Sequence, residues 1–326
     1  MPETKQKRVI CAGGGPASIS LAIELVEMGL SAKDILIFEK GEAPIKAIRQ
    51  FYPDKKMTLA NYKNLPTETH GHLPCFPDLT KAETLTYFDD LISKYQLDYK
   101  LNSEVSKVTL EADQSLRVFV NQDQYQAQVV AIGIGILGRP NKPKYKLPLK
   151  LRDHLLFDLT SQPVKDKKVL VVGGGDTSSE YCQILCEENP EVALAVRSNH
   201  LDRMMEVNQE AARRLEKEGR LRLMMSTEVL EVQEEAEKPK VIFKDKEPEI
   251  FDKVIYAIGG STPVNFLKTI GVEFDAANWP KADEAGATNI KNLYLLGDLV
   301  AGKTGGSIIT AYNASFRAAQ KIVESL

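Results

Sequence analysis

The stretch Arg8-Val9-Ile10-Cys11-Ala12-Gly13-Gly14-Gly15-Pro16-Ala17-Ser18 decides how the rest of the chain is read. Residues 8–12 contain the short apolar run of a strand buried on both faces of a parallel sheet. Three glycines follow, and Gly13-Gly14-Gly15-Pro16-Ala17-Ser18 reads as the turn. From Ile19 to Met28 apolar residues recur at helical spacing, and Gly29 ends the run. Asp34-Ile35-Leu36-Ile37-Phe38-Glu39 reads as the next strand, closing on an acid. In such a strand–turn–helix–strand unit the first glycine allows the tight turn and the second lets backbone approach a pyrophosphate. The free N–H groups of the helix then face the anion. The third motif position is Ser18 instead of Gly or Ala, and Glu39, 21 residues later (39 − 18), is placed to bind ribose hydroxyls.

The unit recurs 160 residues further on (173 − 13). Lys168 to Val172 is a strand, Gly173-Gly174-Gly175-Asp176-Thr177-Ser178 the turn, Ser179 to Glu187 a helix, and Val192 to Val196 a strand. Here no acid stands at the ribose position: the strand runs into Arg197, which can pair with a 2′-phosphate, with Arg203 as a second candidate clamp. The first site therefore suits an adenosine diphosphate with a free ribose, and the second suits NADP. Two such units in one chain suggest two nucleotides.

Between and after the units, Tyr99 to Val120, Gln124 to Gly133, Leu221 to Val232, Lys240 to Phe243, Val254 to Gly259 and Leu293 to Leu296 read as strands. A last helix is expected from about Ser307 to Leu326. Residues 138–143 (Gly-Arg-Pro-Asn-Lys-Pro) and the Gly/Pro/Ala-rich stretch near 271–290 read as linkers. The expected architecture is α/β, with two Rossmann-like dinucleotide-binding domains, one inserted in the other. The first domain takes 1–145 and resumes at 281–326, and the second takes 146–280.

Composition agrees with this. The chain has 326 residues, enough for two domains; 43% are hydrophobic and 27% charged, which excludes disorder and fibres as the main account. Net charge is −3, pI is near 6.0, and no basic tract stands out, so a nucleic-acid footprint is not expected. The longest apolar run, roughly Val129–Leu137, falls far short of the ~20 residues of a spanning helix. The charged N-terminus shows no signal-peptide core, so the cytoplasm is the expected location and no membrane is expected as a partner.

Other patterns compete for a role. Gly297-Asp298-Leu299-Val300-Ala301-Gly302-Lys303-Thr304 satisfies the phosphate-loop pattern of ATPases. But Gly305-Gly306 comes where the helix of that loop should run, and 22 residues (326 − 304) cannot complete its sheet. His70-x-His72-x-x-Cys75 offers three ligands where a closed metal site usually wants four, so no metal is expected. The cysteines at 11, 75, 182 and 186 contain no Cys-x-x-Cys. Cys182 and Cys186 share a helix face and read as packing residues.

Gly13 to Ala17 with Phe38-Glu39-Lys40 resembles the FAD-binding start of the flavoproteins with two dinucleotide-binding domains. Ala131-Ile132-Gly133 through Pro140, and Ala257-Ile258-Gly259, resemble their crossover motifs, and Leu293-Tyr294-Leu295-Leu296-Gly297-Asp298 their C-terminal Gly-Asp motif. Jointly, over nearly the whole chain, these resemble the low-molecular-weight thioredoxin reductase-like group. That resemblance implies an FAD site at Gly13, Gly15, Pro16, Ala17, Ser18, Glu39, Lys40, Val105, Ala131, Gly133, Gly297 and Asp298, with the backbone at Ser307 and Ile308 facing the flavin. It implies an NADPH site at Gly173, Gly175, Asp176, Thr177, Ser178, Arg197, Arg203 and Gly259.

The chain departs from the group in one respect. Thioredoxin reductases carry a Cys-x-x-Cys before the second glycine motif, where Leu147 to Lys168 has no cysteine. Bacillithiol disulfide reductases carry a cysteine in the first motif, where Ala17 stands. Phe51-Tyr52-Pro53-Asp54-Lys55-Lys56 and Phe76-Pro77 resemble loops of the thioredoxin reductase-type ferredoxin/flavodoxin–NADP reductases, which makes Tyr52 a flavin-stacking candidate. Cys75 is the thiol that could come near the flavin. The expectation is an FAD-dependent NAD(P)H oxidoreductase handing electrons to flavodoxin, ferredoxin or a quinone, with a homodimer as one possible assembly. A disulfide reductase using Cys75, and a redox-sensing module without turnover, stand as alternatives.

Overall fold

The structure is a computed structural model that describes residues 5–54, 56–60, 65, 67–136, 140–259, 264–302 and 306–326. The chain divides into two compact units, Met1–Gly138 with Thr262–Leu326, and Arg139–Ser261.

In the first unit Lys5–Ala12 is the centre of a mainly parallel sheet. It pairs with Ile35–Phe38 on one side and Asp123–Ile132 on the other, and Tyr99–Lys100 extends the sheet beyond Ile35–Phe38. On its other edge the long strand Asp123–Ile132 serves two further neighbours. Its first half, Asp123 to Ala127, pairs antiparallel with Leu116–Val120, which in turn pairs antiparallel with Val105–Leu110. Its end pairs parallel with Leu293–Leu295, in the register Leu293 to Val130 and Leu295 to Ile132. Alternating side chains feed two cores. Val9, Cys11, Ile35, Ile37, Val129 and Ala131 face the helices Pro16–Glu27, Lys81–Lys94 and Ile308–Ser325. Ile10, Leu36, Val130 and Ile132 face the hairpin strands and the helix Val264–Ile270.

The helix Pro16–Glu27 starts with proline, which lacks the N–H that would have no partner there. It stops at Gly29, with φ +96°, in the paired bonds from Gly29 N–H to Val26 O and from Leu30 N–H to Leu25 O. The last helix, Ile308–Ser325, starts with a capping box. Ser307 Oγ accepts from Thr310 N–H at 3.1 Å, and Thr310 Oγ1 accepts from Ser307 N–H at 2.7 Å.

The second unit has the parallel order Leu221–Met224, Glu191–Ala195, Lys168–Val172, Lys253–Tyr256, Leu155–Leu156. The helices Asp176–Glu188 and Glu206–Lys217 cover one face. The antiparallel trio Val229–Glu235, Lys238–Phe243 and Glu249–Ile250 covers the other through Val232, Val241 and Phe243. Both units are thus Rossmann-like α/β structures.

Two local expectations change. The run 221–232 is not one strand. Ser226 takes φ +49° and Thr227 N–H bonds to Val196 O, so the chain leaves the parallel sheet at Met224 and joins the antiparallel one at Val229. Residues 264–290 lie within the first unit, where Leu267 and Val272 are buried in its core, and contacts draw the boundary at Ser261/Thr262.

Candidate functional site

The first glycine turn is closed from three sides. Gly13 has φ +100°, and a Cβ there would lie 2.6 Å from Gly133 O, so only glycine fits. At Gly133 a Cβ would collide with Ser18 Oγ, which is how the crossover residues Ala131 and Gly133, both buried, approach the helix. Gly297, with φ +60°, would place a Cβ 3.0 Å from that of Ala17, while Ser315 Oγ donates to Ala17 O at 2.9 Å. The Gly-Asp segment and the last helix are thereby brought to the start of the first helix. The open side is at Gly15, where a Cβ would meet nothing nearer than Gly133 O at 3.9 Å.

That turn has the chemistry of an anion cradle. Among the described residues no side chain caps the N-terminus of Pro16–Glu27, and its first turn holds no acid, so its leading amides suit an external anion. Glu39 is 7% exposed, and its carboxylate accepts from Gly14 N–H at 2.9 Å and Gly41 N–H at 2.7 Å. Two backbone bonds hold the acid against the turn, and carboxylate oxygens retain acceptor capacity for hydroxyls. Lys40 beside it is exposed, and Val105 is half-buried on the neighbouring hairpin. Asp298 begins a short helix and accepts from Gly306 N–H at 3.0 Å. In the first turn of the last helix the N–H groups of Ile308 and Ile309 precede the first intrahelical bonds and present a positive end. These features fit FAD, whose pyrophosphate, ribose and flavin need an amide cradle, an acid and a stabilising dipole.

The second turn is built alike. A Cβ at Gly173 would collide with Ala257 O and come within 2.9 Å of Ser178 Cβ, and Gly175 opens the helix without a side-chain cap. Ser178 is buried and donates to Gly175 O at 2.6 Å, whereas Thr177 is exposed. Gly259, exposed at φ +81°, accepts from Asn141 N–H at 2.9 Å. Arg197 and Arg203 are exposed and form no ion pair among the described residues. Asp176 opens the helix and binds across to the next one: its Oδ1 accepts from Met205 N–H at 2.7 Å and Asn208 Nδ2 at 2.8 Å. It ties the segment that follows Arg203 to the turn. Two exposed guanidinium groups beside a glycine turn fit the phosphates of NADPH.

Some residues here had no signal in the sequence. Tyr99 packs its ring against Gly14 and donates to Gly14 O at 3.0 Å. Burial holds its pKa well above the ordinary phenol value, so it stays a donor. Asn208 links Asp176 to Ser179 and Gln183. Glu24, buried on the first helix, lies 2.7 Å from His72 Nδ1 and accepts from His72 N–H. Asn313 accepts from His70 N–H and donates to Glu68 O. The loop holding His70, His72 and Cys75 is thus pinned by helix side chains, and no metal-binding cluster occurs among the described residues. Tyr52 packs against the first core with Lys56 Nζ 4.4 Å from its ring centroid.

The thiols divide sharply. Cys11, Cys182 and Cys186 are buried, and Cys75 is exposed. Burial pushes Cys11 up to about 12 and Cys186 to about 11, and raises Cys182 well above its ordinary value. No helix among the described residues is long and apolar enough to cross a membrane.

The profile of the pyridine nucleotide-disulphide oxidoreductase family matches residues 10–297. Among curated proteins, the bacilliredoxin reductase Bdr of Bacillus subtilis is 23% identical over 93% of both chains. A ferredoxin–NADP reductase of Christiangramia forsetii is 24% identical over 89% of this chain and 80% of its own. The coenzyme A disulfide reductase of Staphylococcus haemolyticus is 24% identical over 90% of this chain, which spans 63% of that longer protein. Among solved structures, the bacillithiol disulfide reductase Bdr of Staphylococcus aureus superposes with a TM-score of 0.81 at 19% identity over 99% of both chains. The thioredoxin reductase of Lactococcus lactis gives 0.79 at 19% identity over 98% of both. These two structures show the fold, and the profile shows the lineage. With two Rossmann-like units whose turns fit FAD and NADPH, the chain belongs to the pyridine nucleotide-disulphide oxidoreductase family and is an FAD-dependent NAD(P)H oxidoreductase.

Proposed function

We propose that the protein uses NADPH to reduce a one-electron carrier of the flavodoxin or ferredoxin class, with FAD, when bound, taking a hydride and releasing electrons singly. The observation that carries this reading is the arrangement of thiols. Disulfide exchange needs an attacking thiolate and, for an internal dithiol, a resolving partner. Three thiols are buried with raised pKa values, and the fourth, Cys75, stands apart from them in sequence. The chain's own residues have other tasks: Glu39 and the first turn hold one nucleotide, Arg197 and Arg203 select the phosphate of the other, and the last helix sets a positive end toward the flavin. Similarity to a ferredoxin–NADP reductase supports the same reading. A neutral quinone is the second acceptor class.

The exposed thiol of Cys75, and the similarity to coenzyme A disulfide reductase and Bdr, favour one rival: reduction of a small or protein disulfide through Cys75. An acceptor screen with flavin-loaded protein separates the two. Replacing all four cysteines by Ser or Ala should leave NADPH-driven flavodoxin or quinone reduction within about threefold. If that variant keeps its FAD and its flavin is still reduced by NADPH, yet turnover collapses, the thiol-free reading is wrong.

A further inference from the structure

The second unit carries a surface that its glycine turn does not use. Residues 140–152, Pro-Asn-Lys-Pro-Lys-Tyr-Lys-Leu-Pro-Leu-Lys-Leu-Arg, hold five basic side chains and no acid in a chain of net charge −3. The first part of the segment alternates. Lys142, Lys144 and Lys146 are exposed, while Pro143, Tyr145 and Leu147 between them are partly buried. Tyr145 and Leu147 pack on the core of the unit, Tyr145 OH donates to Tyr256 OH at 3.2 Å, and Leu151 is 1% exposed. The segment is therefore pinned to the unit from within, with its lysines on the outer face.

These charges are mostly uncompensated. Lys142, Lys144 and Lys146 make no ion pair among the described residues. Lys150 reaches Glu234 at 4.0 Å with 85% of its side chain exposed, and Arg152 meets its neighbour Asp153 at 3.7 Å with 82% exposed. Leu149, 89% exposed, stands among them as an apolar contact.

We propose that this basic ribbon is the docking surface for an acidic electron-carrier protein, a proposal that rests on the carrier reading above. Charge complementarity chooses that occupant. A positive patch on an otherwise mildly acidic molecule raises the association rate of a partner with a compact negative face. Electron-transfer encounters bury little surface, under about 1,200 Å² in total, which a short ribbon with one exposed leucine can supply. Nucleic acid is the poorer occupant. The aromatic side chain of the ribbon, Tyr145, packs inward and leaves no stacking platform, and the net charge of the chain repels an extended polyanion.

The test uses the flavin-loaded full chain and the triple variant Lys142→Glu/Lys144→Glu/Lys146→Glu. NADPH-driven reduction of an acidic flavodoxin is compared with that of a neutral short-chain quinone at several salt concentrations. For the wild type, kcat/KM with flavodoxin should fall steeply as salt rises, while the quinone rate stays flat. The triple variant should lose at least tenfold in kcat/KM with flavodoxin at low salt. It should lose most of the salt dependence too, and stay within twofold with quinone. Undiminished flavodoxin reduction by a variant that retains FAD would overturn the docking surface and leave the carrier reading standing. A wild type that reduces quinone but neither flavodoxin nor ferredoxin would overturn the carrier reading, and the docking surface with it. Lysine-dependent binding of a DNA duplex, with flavodoxin kinetics indifferent to the lysines, would overturn the choice of an acidic protein.

Discussion

Arg197 and Asp176 divide one task between them. Arg197 offers the charge, and Asp176 holds the segment that carries Arg203 through Met205 N–H and Asn208. A hydrogen bond to a charged group contributes about 1.5–3 kcal/mol. Arg197→Ala should therefore weaken NADPH by roughly ten- to a hundredfold while leaving NADH within about twofold. Asp176→Ala should move in the same direction by a smaller factor, and Asp176→Asn, which keeps an acceptor oxygen, should restore most of it. Equal losses for both nucleotides in steady-state kinetics would count against phosphate reading by this segment. The thiols give a pH prediction. For Cys11 the folded state holds a proton until about pH 12, whereas a solvated thiol loses it near 9.0. Between those values the unfolded chain binds fewer protons, so stability falls as pH rises and the contribution is intact below 9. Thermal unfolding of Cys11→Ala should show a shallower alkaline decline than the wild type. At pH 8 a thiol reagent should label Cys75 quickly and the other three only on unfolding.

At the scale of elements, close approaches of backbone do the positioning. The first helix meets Gly133 at Ser18, Gly297 at Ala17, and the last helix through Ser315. Each contact depends on a residue without bulk. Gly297→Ala adds strain at φ +60° and crowds Ala17. A residue held in such a region costs about 1–3 kcal/mol, so the variant should melt several degrees lower and release FAD more readily. Unchanged flavin retention on desalting would show that the Gly-Asp segment tolerates a shift. The strand pattern carries a related lesson. Residues 221–232 have the composition of one strand, and they are divided at the left-handed residue Ser226, where Ser226 N–H bonds to Ser198 O and Thr227 N–H to Val196 O.

At the scale of the whole molecule, each unit has its own cores on both faces of its sheet. Ligands should therefore protect them separately. In hydrogen exchange, FAD should slow the amides near 14–19, 39–41 and 306–311, and NADP⁺ those near 174–179 and 197–205. A ligand at a hundred times its Kd contributes up to about 2.7 kcal/mol, so protection should rise by at most about a hundredfold. NADP⁺ protection confined to residues 14–19 would reverse the assignment of the two turns.

The sequence determined the two glycine turns, Glu39 and the Gly-Asp segment by itself, because those requirements are local. A tight turn needs glycine, and a buried parallel strand reads as a continuous apolar run. It also determined the absence of a Cys-x-x-Cys. What only the tertiary structure decided are contacts between residues far apart in the chain: Tyr99 on Gly14, Asp176 on Asn208, Glu24 on His72, and the outward set of the lysines between 142 and 146. It also decided that 264–290 belongs with the first unit, since a Gly- and Pro-rich stretch looks the same whether it links domains or packs on a core. Such pairings arise when the sheet brings strands together, and no spacing along the chain encodes which side chains then meet.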